Sequence, residues 1–358
     1  MSSAAATTSA ASKPFKIGFI GAGGIARTHM GYLKKFEGVE IVAAADIAPP
    51  MLEKVKSEFS VPHVYADYKE MLRKHPDLDA VSVCTPNGLH AEDSIAALNA
   101  GMHVLVEKPM AMNAKQAQQM VDAAKKNGKV LIVGFQHRFE PRSKVIREQV
   151  KSGEFGKIMY VRAQALRRRG IPSWGVFGQK EKQGGGPMID IGVHILETAH
   201  SMIGSPRPIS AVGSTFTYLG NKCPGAACPW GPWDWQTYTV EDLAVGQIRF
   251  ENGTVLAIES SFAAHIEKDI WNVTILGEKA GASWENTEIY TDLNGYMVNV
   301  KPQHIGKWDN FEYKMKHFVE VCQGKRENEC PAEHGLMVQK MLDAVYASAE
   351  AGKEVVIE

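Results

Sequence analysis

Two textures of apolar patterning follow one another along the chain. From Phe15 to about Gly134, short apolar runs alternate with stretches that turn apolar every third or fourth position. The runs read as strands over Lys16–Ile20, Glu40–Ala45, Ala80–Cys84, His103–Val106 and Val130–Gly134. The stretches between them read as helices over Ile25–Phe36, Met51–Phe59, Ala91–Ala100 and Ala114–Asn127. Strand and helix in alternation predict a parallel sheet with crossover helices.

Beyond about Pro141 the pattern changes. A helix over Arg142–Lys151 gives way to a strand over Ile158–Leu166, a Gly-rich loop and a helical stretch over Ile189–Ile203. Strand-like runs follow at Ile209–Tyr218, Ala244–Phe250, Thr254–Phe262, Trp271–Leu276 and Gly281–Trp284. Asn252-Gly253, between Phe250 and Thr254, reads as a two-residue hairpin turn. This half predicts a largely antiparallel sheet with helices on one side. Helices over about Phe311–Gln323 and Gly335–Ala351 close the chain.

A length of 358 residues fits about two domains. The 40 basic and 40 acidic residues cancel, which removes a general electrostatic case for nucleic acid or an anionic membrane as partner. Five cysteines do not make a disulfide scaffold. Cys84 lies in an apolar run. Cys223 and Cys228 flank Pro-Gly-Ala-Ala with no second ligand pair, so no metal site is expected. Residues 1–14 read as a disordered tail, Ala/Ser/Thr-rich from Met1 to Ser12 and without a basic or sustained apolar region. No stretch approaches the roughly 18 apolar residues of a membrane span, and a cytoplasmic enzyme is the simplest reading.

Four motifs carry candidate chemistry. Gly21-Ala22-Gly23-Gly24-Ile25-Ala26 joins the first strand to the first helix and fits G-x-G-x-x-G/A. Gly21 permits a tight turn, Gly23 a close approach to a pyrophosphate, and Ala26 close helix–strand packing. The N-terminus of the helix then favours phosphate charge. Asp46 ends the second strand, where a carboxylate can bond the adenosine ribose hydroxyls and repel a 2′-phosphate. Ile47-Ala48-Pro49-Pro50 supplies no arginine for that phosphate, which favours NAD over NADP. Thr85-Pro86-Asn87-Gly88-Leu89-His90 follows the Ala80–Cys84 strand, and Asn87 with the Thr85 hydroxyl could cap the next helix, contact cofactor, or both.

Glu107-Lys108-Pro109 ends the His103–Val106 strand. In an open α/β sheet, ligands bind outside the carboxyl ends of strands, so Lys108 is expected to face a cleft. Asp190-Ile191-Gly192-Val193-His194 follows Gly184-Gly185-Gly186; on an α-helix the acid and the imidazole would share a face. A nearby acid can orient or tune a histidine base.

As a set these motifs, with Gly134-Phe135-Gln136-His137-Arg138-Phe139, make the chain resemble the glucose–fructose oxidoreductase / inositol dehydrogenase (Gfo/Idh/MocA) family from Phe15 onward. The resemblance implies an α/β protein: an N-terminal Rossmann NAD(P)-binding domain over residues 15–137 and a C-terminal α/β domain over 138–358, with a large, mainly antiparallel open sheet. It implies a homodimer or homotetramer built through that sheet. Lys108, Asp190 and His194 carry over as the catalytic group. The cofactor set is Gly21, Gly23, Gly24, Ile25, Asp46, Thr85, Asn87, His90, Glu107, Lys108 and Gln136. Arg138, Arg168, Trp174 and Trp235 join the catalytic group as candidate substrate contacts.

The expected activity is hydride transfer between NAD(P) and a secondary hydroxyl of a neutral sugar, glycoside or polyol. Either His194 takes the hydroxyl proton while Lys108 stabilises the alkoxide, or Lys108 is itself the base. Two rivals are a glycosidase using tightly bound NAD through a transient keto-sugar and a non-catalytic NAD-binding regulator. Trp230, Trp233 and Trp235 fall in the stretch Asn221–Gln236, which reads as a cleft rim or a subunit contact. Arg167-Arg168-Arg169 reads as substrate lining or as a solvated or interface run.

Overall fold

The computed structural model describes residues 13–358. The tail expected over residues 1–14 therefore lies, except for Lys13 and Pro14, outside the described residues. The first half builds strands β1 (Phe15–Ile20), β2 (Val39–Ala45), β3 (His63–Tyr65), β4 (Ala80–Val83), β5 (His103–Val106) and β6 (Leu131–Val133). Helices α1 (Gly24–Leu33), α2 (Pro49–Phe59), α3 (Tyr68–Lys74), α4 (His90–Asn99) and α5 (Ala114–Asn127) connect them. The strands pair in the order β3-β2-β1-β4-β5-β6, all parallel. Chain order reverses between β1 and β4, so the crevice of a doubly wound sheet opens at their carboxyl ends. Gly21, Asp46, Glu107 and Gly134 each follow directly on one of these strands, and Thr85 follows β4 after Cys84. β1, β4, β5 and β6 are almost continuously buried, as expected where helices cover both faces, while β2 and β3 at one edge are partly exposed.

The second half begins with helix α6 (Pro141–Lys151) and strand β7 (Ile158–Leu166). A short helix α7 (Lys180–Gln183) precedes a π-helical turn over Met188–Gly192, which runs into α8 (Val193–Met202). Strands β8 (Pro208–Phe216), β9 (Leu243–Phe250), β10 (Val255–Ser261), β11 (Ile270–Gly277), β12 (Ala280–Ser283), β13 (Glu288–Leu293) and β14 (Tyr296–Val300) follow. Helices α9 (Asn310–Cys322) and α10 (Ala332–Ala351) and strand β15 (Val355–Val356) end the chain. The sheet runs β14-β13-β12-β11-β7-β10-β9-β8-β15 and is antiparallel except where β7 meets β10.

Two hairpins depart from expectation. Phe250 pairs with Thr254 across a three-residue loop, closed by a bond from Gly253 N–H to the Phe250 carbonyl with Gly253 at positive φ. That is a type I turn followed by a left-handed glycine, not the two-residue turn that Asn252-Gly253 predicts. The two-residue turn occurs instead at Asn294-Gly295, where both residues have positive φ and Leu293 pairs with Tyr296. Tyr296 and Met297 on β14 are exposed, which hides that strand from a search for buried runs.

Helix α8 is buried on every side. Its Glu197 receives the Arg138 guanidinium, Nε to Oε1 at 2.6 Å, and Arg138 also donates to the Glu329 carbonyl. Arg138 is fully enclosed, so the expectation that it contacts substrate is corrected: it is a structural ion pair. On a tight 3₁₀ turn spanning Gln136–Phe139, Gln136 and Arg138 face different ways, and only the former reaches the cleft. Removing one partner of a buried pair leaves the other charge uncompensated. Glu197→Ala should therefore cost about 3–5 kcal/mol, read as a lower urea midpoint. Glu259→Ala, in the exposed Arg162 pair, should change stability by about 1 kcal/mol or less.

Candidate active site

The glycine turn is shaped for close approach. Gly21 sits at φ +90°, and a Cβ there would meet the Cys84 backbone at 2.7 Å. At Gly23 and Gly24 a Cβ would meet nothing within 4 Å, so the turn presents an open floor at the N-terminus of α1. The Asp46 carboxylate accepts the Ala22 N–H at 2.7 Å and the Ala48 N–H at 2.8 Å. These bonds fix the carboxylate beside the turn while leaving it lone pairs for a ribose hydroxyl. Open floor, helix terminus and acid at the next strand end together fit a dinucleotide.

Thr85 and Asn87 serve neither as caps of α4 nor of the short turn before it. Thr85 Oγ1 donates to Asp93 at 2.7 Å, and Asn87 Nδ2 donates to the Gln183 carbonyl at 3.0 Å, tying the first half to the second. His90 is buried with its ring nitrogens 2.8 Å from the Thr85 carbonyl and 2.7 Å from the Pro109 carbonyl. It thus links the loops after β4 and β5.

Glu107 points inward. Lys314 of α9 donates to its Oε1 at 2.8 Å and to His29 Nε2 at 2.9 Å. His29 Nδ1 lies 3.1 Å from Ser82 Oγ and its Nε2 3.2 Å from Glu107 Oε1, so the ring links the carboxylate to Ser82. Burial and the Lys314 charge lower His29 to about 4, keeping it neutral. Burial alone would raise the Glu107 carboxyl, but Lys314 and His29 hold it well below the usual carboxylate range. Gly134 makes room, since a Cβ there would strike Glu107. The motif reading placed Glu107 at the cofactor, and no sequence signal marks Lys314 as its partner.

Lys108, one residue on, faces outward to the cavity, and the bond to Pro109 after it is cis. Its Nζ donates to Asp190 twice, to Oδ1 and to the backbone carbonyl, each at 2.9 Å. Asp190 therefore pairs with the lysine and not with His194. The physical reason is the π-helical turn over Met188–Gly192: its wider repeat takes residues i and i+4 out of the α-helical alignment assumed from sequence. The triglycine lead-in has a packing cause. A Cβ on Gly186 would sit 2.1 Å from the Glu241 carbonyl oxygen, and the Glu241 carboxylate accepts the N–H groups of Gly186 and Met188.

His194 lies beside His137 edge-on, ring centroids 5.1 Å apart. Its Nδ1 is buried without a hydrogen-bond partner, leaving Nε2 as the nitrogen open to a ligand. Burial first, and then the Lys108 charge, hold His194 well below its ordinary value of 6.5, so it is neutral near pH 7.

Lys108 and His194 line one cavity of about 390 Å³. Ile25, Thr85, Asn87, His90, Glu107 and Gln136 line it too, from the expected cofactor set. Gly175, Val176, Phe177, Gln183 and Phe311 complete much of the wall and carry no motif that would have marked them. Arg168 lies away from it, its backbone N–H on Asp269 and its guanidinium on the Glu267 carbonyl, so the substrate expectation for it is corrected. Trp235 packs partly buried against the core and is not among the residues that line the cavity. Trp174 stands exposed beside the cavity wall. Cys223 and Cys228 are free thiols, and among the described residues no helix is long and apolar enough to cross a membrane.

Comparison with known proteins places this geometry. The model of the oxidoreductase family NAD-binding Rossmann fold matches residues 15–135, and that of the oxidoreductase family C-terminal alpha/beta domain matches residues 147–357. The chain is 40% identical to a D-glucoside 3-dehydrogenase of Escherichia coli (strain K12), over 96% of this chain and 98% of the relative. It is 26% identical to a myo-inositol 2-dehydrogenase of Thermotoga maritima, over 96% and 98%. The fold superposes on a levoglucosan dehydrogenase in complex with NADH with TM-score 0.80 at 22% identity, covering 96% of this chain and 99% of that one. With a cofactor cradle, a lysine at the sheet edge and both domain models matched in order, the chain belongs to the Gfo/Idh/MocA oxidoreductase family.

Proposed function

We propose that this NAD(P)-dependent oxidoreductase oxidises a ring hydroxyl of a D-glucoside, the 3-hydroxyl by kinship, with NAD as the cofactor. The observation that carries the chemistry is Lys108, held by Asp190, in one cavity with a neutral His194. The near-full-length kinship to a D-glucoside 3-dehydrogenase supports the substrate class, and the balanced charge fits a neutral sugar. The relatives are dehydrogenases and reductases, which disfavours the hydrolytic rival. The turn Gly21–Ile25 and Asp46 would hold the dinucleotide, and the Asp46 carboxylate, with no arginine in the Ile47–Pro50 segment that follows it, favours NAD.

A nicotinamide dinucleotide held there would supply the acceptor for a hydride leaving carbon. The protein handles the accompanying proton. Lys108 has three N–H donors and gives two to Asp190. Its third can donate to the substrate hydroxyl and stabilise the alkoxide as it forms. Asp190 fixes the direction of that donor. His194 Nε2 offers the lone pair that takes the hydroxyl proton. Assembly through the exposed face of β13 and β14 belongs to the same reading, and a monomer mass by light scattering would remove it.

The direct test is a screen of D-glucosides and polyols with NAD and NADP, following NADH absorbance and the position of the new ketone. NAD-linked formation of a 3-ketoglucoside is expected. Turnover confined to unrelated alcohols would sink the substrate assignment, and a higher kcat/KM with NADP the cofactor assignment. Lys108→Ala should lower kcat by at least about a hundredfold while NAD binding by calorimetry is retained; near-normal turnover would remove Lys108 from the site. His194 must be neutral to act, and its lowered pKa means it takes up a proton only at more acidic pH than an ordinary imidazole. The acid limb of kcat/KM should thus lie below pH of about 6.5, and a limb at or above that value contradicts His194 as base.

A further inference from the structure

The Asn221–Gln236 stretch divides its three tryptophans between two tasks. Trp233 is buried, and its indole N–H donates to the Gly220 carbonyl at 2.7 Å, which anchors the stretch. Trp230 is 37% exposed and stacks on Trp174, itself 57% exposed, with ring centroids 5.5 Å apart and planes within 15°. Ser173 Oγ ties the two loops by donating to the Trp230 carbonyl at 2.7 Å. Nothing in the core requires this pair, because Trp233 already secures the loop.

The pair adjoins the active cavity. Trp174 meets Phe177 edge-to-face at 6.3 Å, and Phe177 lines the cavity together with Lys108 and His194. Arg167 lies over the Trp230 ring at 4.2 Å. That arginine makes one side-chain hydrogen bond, to the Gly170 carbonyl, and among the described residues no carboxylate pairs with it. Its neighbours Arg168 and Arg169 are turned to backbone carbonyls and His265. Burial lowers the Arg167 guanidinium and the Asp190 and Asp269 carboxylates draw it back up, so Arg167 is within electrostatic reach of the catalytic pair.

We propose that Trp174, Trp230 and Arg167 form an aglycone subsite, which binds a ring with a flat apolar face attached to the glucosyl unit held at Lys108 and His194. The inference rests on the glucoside reading above. Trp230 is covered by Trp174 and Arg167, so it backs the platform, and Trp174 offers the face on which an aromatic ring or the C–H face of a pyranose can stack. Arg167 has N–H donors left for a glycosidic or ring oxygen at the junction between the two units. The occupant is thus an aryl group or a second sugar, and a bare methyl group would leave the platform empty.

Steady-state kinetics on methyl β-D-glucopyranoside, phenyl β-D-glucopyranoside and cellobiose test this with the wild-type protein, Trp230→Ala and Trp230→Phe. Trp230→Ala should lower kcat/KM for at least one ring aglycone about fivefold to tenfold, leave the methyl glucoside unchanged, and be rescued by Trp230→Phe. A selective loss on the phenyl glucoside assigns an aryl aglycone, and one on cellobiose a sugar. Equal losses on all three substrates, no loss on either ring aglycone, or a changed oligomeric mass in Trp230→Ala overturns the subsite. Wild-type protein that oxidises none of the three defeats the glucoside reading itself. The platform is then judged by calorimetric binding of phenyl β-D-glucopyranoside to NAD-loaded protein: affinity lost in Trp230→Ala upholds it, and affinity unchanged or absent overturns it.

Discussion

Glu107 puts a carboxylate into the protein interior one residue before the lysine that faces the cleft, and Lys314 neutralises it from the far part of the chain. An ionised carboxylate there without a partner would be strongly destabilising. With Lys314 in place, and His29 neutral beside it, the end of β5 is held from within. Successive side chains at a strand end point to opposite sides, so an inward Glu107 means an outward Lys108. The position of the Lys108 ammonium thus follows from the buried charge pair behind it. Gly134 is part of the same constraint, because only the missing Cβ leaves room for the carboxylate.

The two halves supply unlike components to the cleft. The parallel sheet brings the glycine turn, Asp46 and Lys108 to one edge, as the switch point between β1 and β4 requires. The second half brings Asp190 and His194 on a segment whose start is fixed by Glu241. Helix α9 lies against α1, and α10 against α5, with Asp343 of α10 accepting the Ala114 N–H at 2.6 Å. Closing helices that return to the first half hold the two contributions in register. Lys108 and Asp190 meet across that junction at 2.9 Å, a distance that requires a fixed relation between the halves.

Much of the first half was legible because strands buried on both faces read as unbroken apolar runs, and because the glycine turn has one natural place in such a fold. β3 and α3 were missed: three half-exposed residues and a short polar helix leave no periodic signal. β13 and β14 give no buried run, since Ile289 is their one buried residue, although Asn294-Gly295 carries a two-residue hairpin signal. Site geometry was less legible than site membership. Lys108, Asp190 and His194 do converge, but the Lys108–Asp190 pairing depends on a π-helical turn that spacing alone does not reveal. Arg138 shows the opposite failure: a charge inside a motif looked chemical, while a single step around a 3₁₀ turn sends it into the interior. Lys314 is separated from Glu107 by 207 positions, and nothing local announces the pair.

The π-helical turn has a further consequence for how the length of this chain can vary. Gly186 is pinned against Glu241, and the whole of α8 is enclosed, so neither end of the intervening segment can shift to absorb a change. Adding or deleting one residue between Gly186 and His194 would rotate every side chain of α8 by about 100°, turning Glu197 from Arg138 and His194 from the cavity. Diversification there is confined to substitution at constant length. In the Asn221–Gln236 stretch only Trp233 is buried, bonded to the Gly220 carbonyl, and the residues before it are exposed or half-buried and carry no such restriction. Insertions and deletions can therefore remodel the approach to the site without changing the spacing that performs the chemistry.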